Sequence, residues 1–554
     1  MLLLHAGLLR AQSYSLRLHG VDTNVATLAK LLPAFKEFNN QFSAYSFVKE
    51  IVPNLQEAGF LSASIDSLGS TKNNLDAFIY LGKKWRWARL SLKQVPPNII
   101  LGTGITEAQF ANRDLTPKSI SKLSEQILNW CENNGFPFAT VGLDSIVSLE
   151  NEVGIFARVS VVLNGVRRID SLITEGNAQL AKPYLMRYLD IHEGNLYNES
   201  RLRSINKKLD NLSFLEPGSS WRVAFGLFDT KLRIKLKERR ANQANLLIGL
   251  QPNTLQTGKF LLTADVQAAF QNLLGRGEAF SFSYQKLQAA SPRIKAEALY
   301  PYLLGSPIGV DGHFDLYFNG TAYRKTTVDF GGRYALNAQD FIRLYYSGLT
   351  TRIINADTAF IVANHRLPDI LDLSANGAGL EFQSDRTDYR FNPTKGYTVH
   401  LNGEVLNRTI RKNDGITGIT DGSGFDYSKL YDSLSVATYQ YQLSAQAAYY
   451  FPLRKHIVLK AFYAGAWISG DRLFQNELYQ IGGIKMLRGF DEGSIFANQY
   501  HMLSAELRFL FARNSNFYLF SDNAWVQSKI NGYANEGWYN GFGIGTQLEV
   551  KSGQ

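Results

Sequence analysis

The chain has 554 residues, several times the usual domain length, so more than one folded unit is expected. Aromatic residues make up 13% and charged residues 19%, yet mean hydropathy is only -0.16 and no run of about 18 apolar residues occurs, which excludes membrane-spanning helices. The lone Cys131 excludes a disulfide framework or cysteine metal site. The net charge of +10 is spread without a basic block, which reads first as a solvated basic exterior, then as membrane contact, and not as a nucleic-acid surface.

The N-terminus, "MLLLHAGLLRAQ", sets a short apolar run before Leu9-Arg10-Ala11, and predicts a signal-peptide remnant over residues 1–12 with cleavage after Ala11, hence export. From residue 13 one pattern repeats three times with a period of roughly 75 to 80 residues. The predicted modules are 13–84, 85–166 and 167–238. Each opens with a strand ("SYSLRLHG", "KWRWARLSL", "RRIDSLITEGN"), runs through two helical stretches and closes with two strands. The second helices are "SAYSFVKEIVPNLQEAGF", "TPKSISKLSEQILNWCENNGF" and "NESRLRSINKKLDNLSF". Gly59 and Gly135 stand where a left-handed helix terminus is needed, and Cys131 falls on the apolar side of its helix.

From residue 239 to 554 helical periodicity gives way to alternation. In "TYQYQLSAQAAYYF", Tyr439, Tyr441, Leu443, Ala445, Ala447 and Tyr449 oppose Gln440, Gln442, Ser444 and Gln446. In "NGFGIGTQLEVK", Phe542, Ile544, Leu548 and Val550 oppose Gly543, Gly545, Gln547, Glu549 and Lys551. Alternation alone also fits a soluble sandwich. About fourteen or fifteen candidate strands, many long enough to cross a bilayer when tilted, point instead to an antiparallel transmembrane β-barrel, since in hydrocarbon every backbone amide needs a partner.

Catalytic and cofactor motifs are absent: the chain has no G-x-x-x-x-G-K-[ST], H-E-x-x-H or G-x-S-x-G, and its eight histidines form no metal-ligand spacing. The expected protein is not an enzyme and carries no cofactor or metal. The exceptional stretch is "QIGGIKMLRGFDEGSIFAN", between the strands "HIVLKAFYAGAWISG" and "QYHMLSAELRFLF", a loop long enough to carry function. Gly482, Gly483 and Gly493 are its hinge glycines, which allow it to turn into a barrel. An inward Arg488 needs carboxylate partners. Glu506 shares parity with Ser504 and Arg508 and should face inward, as should Asp522, because lipid contact is costly for a carboxylate. A guanidinium bonds such groups as a fork that lysine cannot reproduce.

The three modules resemble polypeptide-transport-associated (POTRA) domains. "GGIKMLRGF" followed by "SAELRF" and "SDNAW", together with "LEFQSDRTDYRFNPTKGYTVHLNG", resembles the barrel of the BamA/TamA outer-membrane assembly superfamily, a surface-antigen-type barrel of sixteen strands. The resemblance implies that Arg488, Gly489 and Phe490 are the latch motif of the sixth extracellular loop, and that Glu506 and Asp522 hold its arginine. Leu487 stands where the family often has Val. The chain stops at "QLEVKSGQ", where the family usually ends on an aromatic residue, so the expected barrel lacks its last strand.

By the same resemblance the protein is expected in the bacterial outer membrane, with its modules in the periplasm. It would be an insertase or translocase for unfolded outer-membrane or secreted clients, in contact with lipid and with periplasmic or lipoprotein accessory subunits. Its gate would involve a first strand carrying Gln243, Asn245, Leu247 and Gly249. Three modules resemble TamA more than the five-module BamA. The alternative is a two-partner secretion transporter exporting one dedicated passenger, whose relatives typically carry two modules and a plug helix.

Overall fold

The computed structural model describes residues 14–549 except 34, 72–73, 149–153, 253–259, 287–290, 391, 435–436, 485 and 531–532. The expected signal remnant and Val550 lie outside them. The chain forms two compact units: residues through Asp170 together with Gly194–Leu202, and Ser171–Glu193 together with Arg203 onward. Among the described residues no helix is long and apolar enough to cross a membrane.

The first unit opens with β1 (Tyr14–Gly20), α1 (Val25–Ala29), β2 (Phe35–Phe38), α2 (Gln41–Glu57), β3 (Ser64–Ser70) and β4 (Asn74–Tyr80), in sheet order β2-β1-β4-β3. Helix α2 buries Ala44, Val48, Ile51 and Leu55, a stripe at helical spacing, against Leu16 and Leu18 of β1 and Leu75, Ala77 and Ile79 of β4. Gly59, with φ 98°, reverses the chain after α2, so that the Phe60 N–H donates back to the Leu55 carbonyl at 3.0 Å. Strand β2 is an addition to the repeated pattern. It pairs with β1 and brings Phe38 onto the module core.

The same plan follows with β5 (Arg86–Ser91), α3 (Pro97–Thr103), α4 (Pro117–Asn133), β6 (Thr140–Ser148) and β7 (Gly154–Val162), in order β5-β7-β6 with β5 and β7 parallel. The Thr116 hydroxyl caps α4 by accepting from the Ser119 N–H at 3.1 Å. Leu123, Ile127 and Cys131, four residues apart, point into a core with Trp87, Leu90 and Ile99. Gly135, with φ 94°, ends this helix as Gly59 ends α2.

Next come β8 (Ser171–Gly176), α5 (Lys182–Leu189), α6 (Glu199–Arg203), α7 (Ile205–Asp210), β9 (Ser220–Phe225) and β10 (Thr230–Leu236), with β8, β10 and β9 forming a three-stranded sheet. The stretch "NESRLRSINKKLDNLSF" reads as one helix but folds as two, with the break at Ser204, a residue type that competes with the helix for backbone bonds.

Among the described residues, the rest of the second unit is one antiparallel sheet of fourteen strands, interrupted by short helices and a small ribbon. In chain order its parts are β11 (Gln243–Pro252), β12 (Phe260–Gln271), β13 (Ala279–Lys286), β14 (Arg293–Tyr300), β15 (Ile308–Asn319), β16 (Tyr323–Ala335), β17 (Phe341–Ile353), α8 (Thr358–Asn364), β18 (Leu373–Asp385), β19 (Gly396–Ile410), α9 (Asp414–Thr417), β20 (Ala437–Arg454) and β21 (Ile457–Ser469). A ribbon of β22 (Tyr479–Ile481) and β23 (Ile495–Ala497) follows, then β24 (Gln499–Ala512), β25 (Ser515–Ile530) and β26 (Tyr533–Gln547). Each strand pairs with the next, and β21 pairs directly with β24 because the ribbon forms its own two-stranded sheet inside the intervening loop. Strands β11 and β26 stand at opposite ends of the order, and among the described residues no pairing joins them.

The distribution of burial in this sheet is inverted relative to a soluble protein. On β17, Arg343, Ser347 and Thr351 are buried while Leu344 and Tyr346 are exposed; on β20, Gln440 is buried while Tyr439, Tyr441 and Leu443 are exposed. One face is therefore polar and enclosed and the other apolar and open, as a barrel wall in lipid requires. The enclosed charges pair across strands: Asp311 accepts from Arg333 and Arg343 at 2.6 Å each, and Arg343 reaches Glu381 at 3.3 Å.

At one end of the sheet, α5 rests on the short turns. Its neighbour Ala181 donates its N–H to the Gly275 carbonyl at 2.7 Å, Arg187 Nε donates to the Gly305 carbonyl at 3.2 Å, and the Tyr184 ring lies where a Cβ on Gly277 would stand. At the other end the long loops share an apolar cluster of Ile361, Leu371, Ile410, Ile416, Tyr427, Tyr431, Leu434 and Phe474. Beneath it Arg408 of β19 holds Glu477 (Nε–Oε1 2.6 Å, Nη2–Oε2 2.8 Å) and the Asp471 carbonyl (3.1 Å), which fixes the start of the loop between β21 and β24.

Candidate functional site

That loop enters the enclosed space of the sheet, and its glycines make the path possible. Gly482 and Gly483 take φ of 114° and 107°, in the left-handed region where a side chain is strained, and a Cβ on Gly482 would stand 2.4 Å from the Asp491 carbonyl oxygen. Gly489 (96°) and Gly493 (63°) share that region. The ribbon β22–β23 pairs Tyr479 with Ala497 and Ile481 with Ile495, so the segment between them is a closed excursion. Leu487 is wholly buried at its tip, among Ala464, Met502, Ala524 and Val526.

Arg488 is seated by five hydrogen bonds. Its Nε and Nη2 donate to the two oxygens of Asp522 at 2.8 and 2.7 Å, and its own backbone N–H donates to Asp522 Oδ2 at 3.0 Å. Nη1 donates to Glu506 Oε1 at 2.9 Å and Nη2 to Ser504 Oγ at 3.0 Å. The guanidinium lies over the Phe520 ring, 3.8 Å from its centroid. Ser504 and Glu506 alternate on β24 and Asp522 faces Ser504 in register on β25, so the pleat alone puts all three on the enclosed face. Phe490 continues onto β26, edge to face with Tyr539 at 5.5 Å. The motif thus touches the last three strands of the order at once.

Several participants are not apparent from the motif. Ser504 and Arg508 follow from the parity of Glu506, but that Arg508 grips the same carboxylate (Nε 2.9 Å and Nη2 2.6 Å to Oε2) needed the structure. Lys460 of β21 faces Glu506 across the strand pair, with Nζ 3.4 Å from Oε1. Gly541 of β26 lies against the arginine backbone: a Cβ there would stand 2.0 Å from the Arg488 carbonyl oxygen. Its only sequence signal is the glycine alternation of "NGFGIG".

The residues expected at the gate lie on the first strand of the sheet. Gln243, Asn245, Leu247 and Gly249 lie along β11, opposite Ala269, Gln267, Asp265 and Thr263 of β12. Leu246, Leu247 and Ile248 are all exposed, so both faces of this strand are open, unlike those of β17 or β20. The structure does not bring them to the arginine seat.

A polar-inside, apolar-outside antiparallel barrel sheet preceded by α/β modules, with a loop arginine seated on two wall carboxylates, defines a class of modular β-barrel proteins. The Omp85 superfamily domain matches residues 272–554, slightly more than half of the chain, and the chain belongs to that superfamily. No curated protein matches the sequence. Among solved structures, the chain is similar to CdiB from Escherichia coli, at 16% identity over 91% of each chain with a TM-score of 0.50. It is also similar to CdiB from Acinetobacter baumannii (13% identity, 84% of this chain and 83% of that one, TM-score 0.47). A third is BamA from Haemophilus ducreyi lacking POTRA domains 1-3 (17% identity, 79% and 87%, TM-score 0.43). At these identities the likeness is one of fold.

Proposed function

We propose that the protein is a non-enzymatic insertase or translocase of the bacterial outer membrane, TamA-like in role, with three POTRA modules over 13–84, 85–166 and 167–238 in the periplasm. The modules receive unfolded outer-membrane or secreted chains, by adding a client strand to an open sheet edge. The barrel then admits client strands at a seam that includes β11, where backbone donors and acceptors template a new strand. Arg488, Gly489 and Phe490 act as the latch, with Glu506 and Asp522 as its seat and Gly482, Gly483 and Gly493 as its hinges.

The observation that carries this reading is the arginine seat. A buried guanidinium shared between Glu506 and Asp522 ties one long loop to β24 and β25, while Phe490 reaches β26, and so braces the wall at the end of the strand order. A passive pore has no use for such a brace or for three soluble modules.

The test is depletion of the protein in its own cell, followed by quantitation of folded outer-membrane proteins and secreted proteins. A broad fall in barrel proteins, restored by the wild-type chain and not by Arg488→Ala, is the expected result. Unchanged levels with loss of one secreted protein would overturn it in favour of dedicated two-partner export.

A further inference from the structure

Beneath the arginine seat lies a cavity of about 510 Å³, lined by β21, β24, β25 and β26 and by the loop tip. Five charged side chains line it: Lys460, Arg488 and Arg508 against Glu506 and Asp522. All are largely enclosed, with side-chain exposures of 18, 14, 12, 8 and 2% in that order. Asp522 is committed to Arg488, which takes both of its oxygens. Glu506 is then the shared acceptor of three cations: Oε1 faces Arg488 and Lys460, and Oε2 holds Arg508. Among the described residues that line it, three positive charges meet two negative ones, each side chain mostly shielded from bulk water.

A charge taken out of water without a counter-charge is costly. Lys460 bears most of this imbalance, because its closest approach to a carboxylate is 3.4 Å, beyond the usual length of a charge-assisted bond; among the described residues its ammonium has besides only the Phe462 ring, 5.1 Å to the centroid, and no second hydrogen-bond acceptor. Arg508 spends Nε and Nη2 on Glu506, and its guanidinium sits 5.6 Å from the Tyr450 ring centroid. The remaining wall is mixed: Ile484, Met486 and Met502 are apolar, while Ser504, Asn516, Tyr518, Thr546 and Gln547 add hydrogen-bonding groups beside the five charges, so the charged side suits an ion rather than an apolar ligand.

We infer that this cavity is a binding site for a small oxyanion, phosphate or carboxylate in chemical class, held between Lys460 and Arg508. The anion supplies the missing negative charge, takes the free ammonium donors, and so strengthens the floor on which Arg488 sits. Binding of a free ion there does not depend on what the barrel transports. A carboxylate reaches it either as a free ion or on an acidic side chain of a chain passing through the lumen, and a phosphate only as a free ion or ester.

The experiment uses the full chain in detergent micelles, with its unfolding temperature followed as sodium phosphate, sodium acetate or sodium chloride is varied at constant ionic strength. Phosphate or acetate should raise the unfolding temperature in a saturable manner, with chloride as the reference. In Lys460→Met, which removes the unpaired charge and keeps the stem, half-saturation should move up by about tenfold or more, the loss of one charge-assisted bond. That variant should also be at least as stable as wild type in the chloride reference, whereas a lysine serving only to bind Glu506 would leave it less stable. Saturation by acetate alone assigns a carboxylate site, by phosphate alone a phosphate site, and by both an oxyanion site open to either. Equal responses of wild type and Lys460→Met, or no saturable response in wild type, would overturn the inference.

Discussion

Gly541 and Arg488 are in direct backbone contact: the arginine carbonyl oxygen lies 2.0 Å from where a Cβ on Gly541 would stand. The loop tip therefore sits as low as a strand without a side chain permits. Gly541 also faces Asp522 in the β25–β26 register, so the strand that makes room for the loop backbone is hydrogen-bonded to the strand that binds its guanidinium.

Gly541→Ala should lift the tip without touching any charge. Backbone cannot yield as a flexible side chain does, and overpacking of this kind costs about 1–3 kcal/mol. The expected result is a lower unfolding temperature in heat-dependent gel mobility and faster protease cleavage near Gly482 and Gly493. Wild-type mobility and cleavage would show that the tip does not rest on β26.

Replacing Arg488 separates charge from contact. Arg488→Met leaves Asp522, whose side chain is 2% exposed, without its counter-ion, and breaking a buried pair in this way costs about 3–5 kcal/mol. The double variant Arg488→Met with Asp522→Asn removes both charges and should recover a large part of that loss. Arg488→Lys keeps the charge but not the fork and should fall between wild type and Arg488→Met. Thermal unfolding of the four proteins in micelles gives the comparison; a double variant no more stable than the single one contradicts it.

Glu477→Gln should loosen the loop at its other root. Arg408, 1% exposed, would lose its only carboxylate partner among the described residues, while its bonds to the Asp471 and Arg472 carbonyls persist. A loss of about 3–5 kcal/mol in barrel stability is expected. Limited proteolysis should show new cleavage in 411–434 and 470–478 before any within β24 to β26. Cleavage within those strands first would place the weak point elsewhere.

Cys131 reports on the second module. Burial pushes its thiol pKa up, since the helix α4 core offers the thiolate no solvation. At neutral pH maleimide labelling of the folded chain should be slower than in urea by about 100-fold or more, because it waits on opening of the module. The raised pKa makes a stability contribution that is present below the unfolded thiol value of about 8.5 and declines as pH rises through the folded one. Cys131→Ala should therefore flatten the alkaline limb of the module's stability. Fast labelling at neutral pH would mean that the thiol is not enclosed.

Much of the architecture is legible locally. Helix α2 and helix α4 announce themselves by apolar residues three and four apart and by Gly59 and Gly135 at their ends, because helix period and left-handed termini are properties of short segments. The short strand β2 and the break at Ser204 escape such a reading, since an edge strand exists only by pairing with β1 and a serine is compatible with either outcome.

For the site, the sequence by itself determined facing: a strict period of two puts Ser504, Glu506 and Arg508 on one side of β24, and the cost of a carboxylate in lipid turns that side inward. It also supplied the glycines that bend the loop. Only the tertiary structure decided that Lys460 shares Glu506, that Gly541 yields space to Arg488, and that Arg408 holds the loop root through Glu477. These depend on register between strands far apart in the chain, and register is set by the whole sheet, since each added strand fixes which residues of the next can meet.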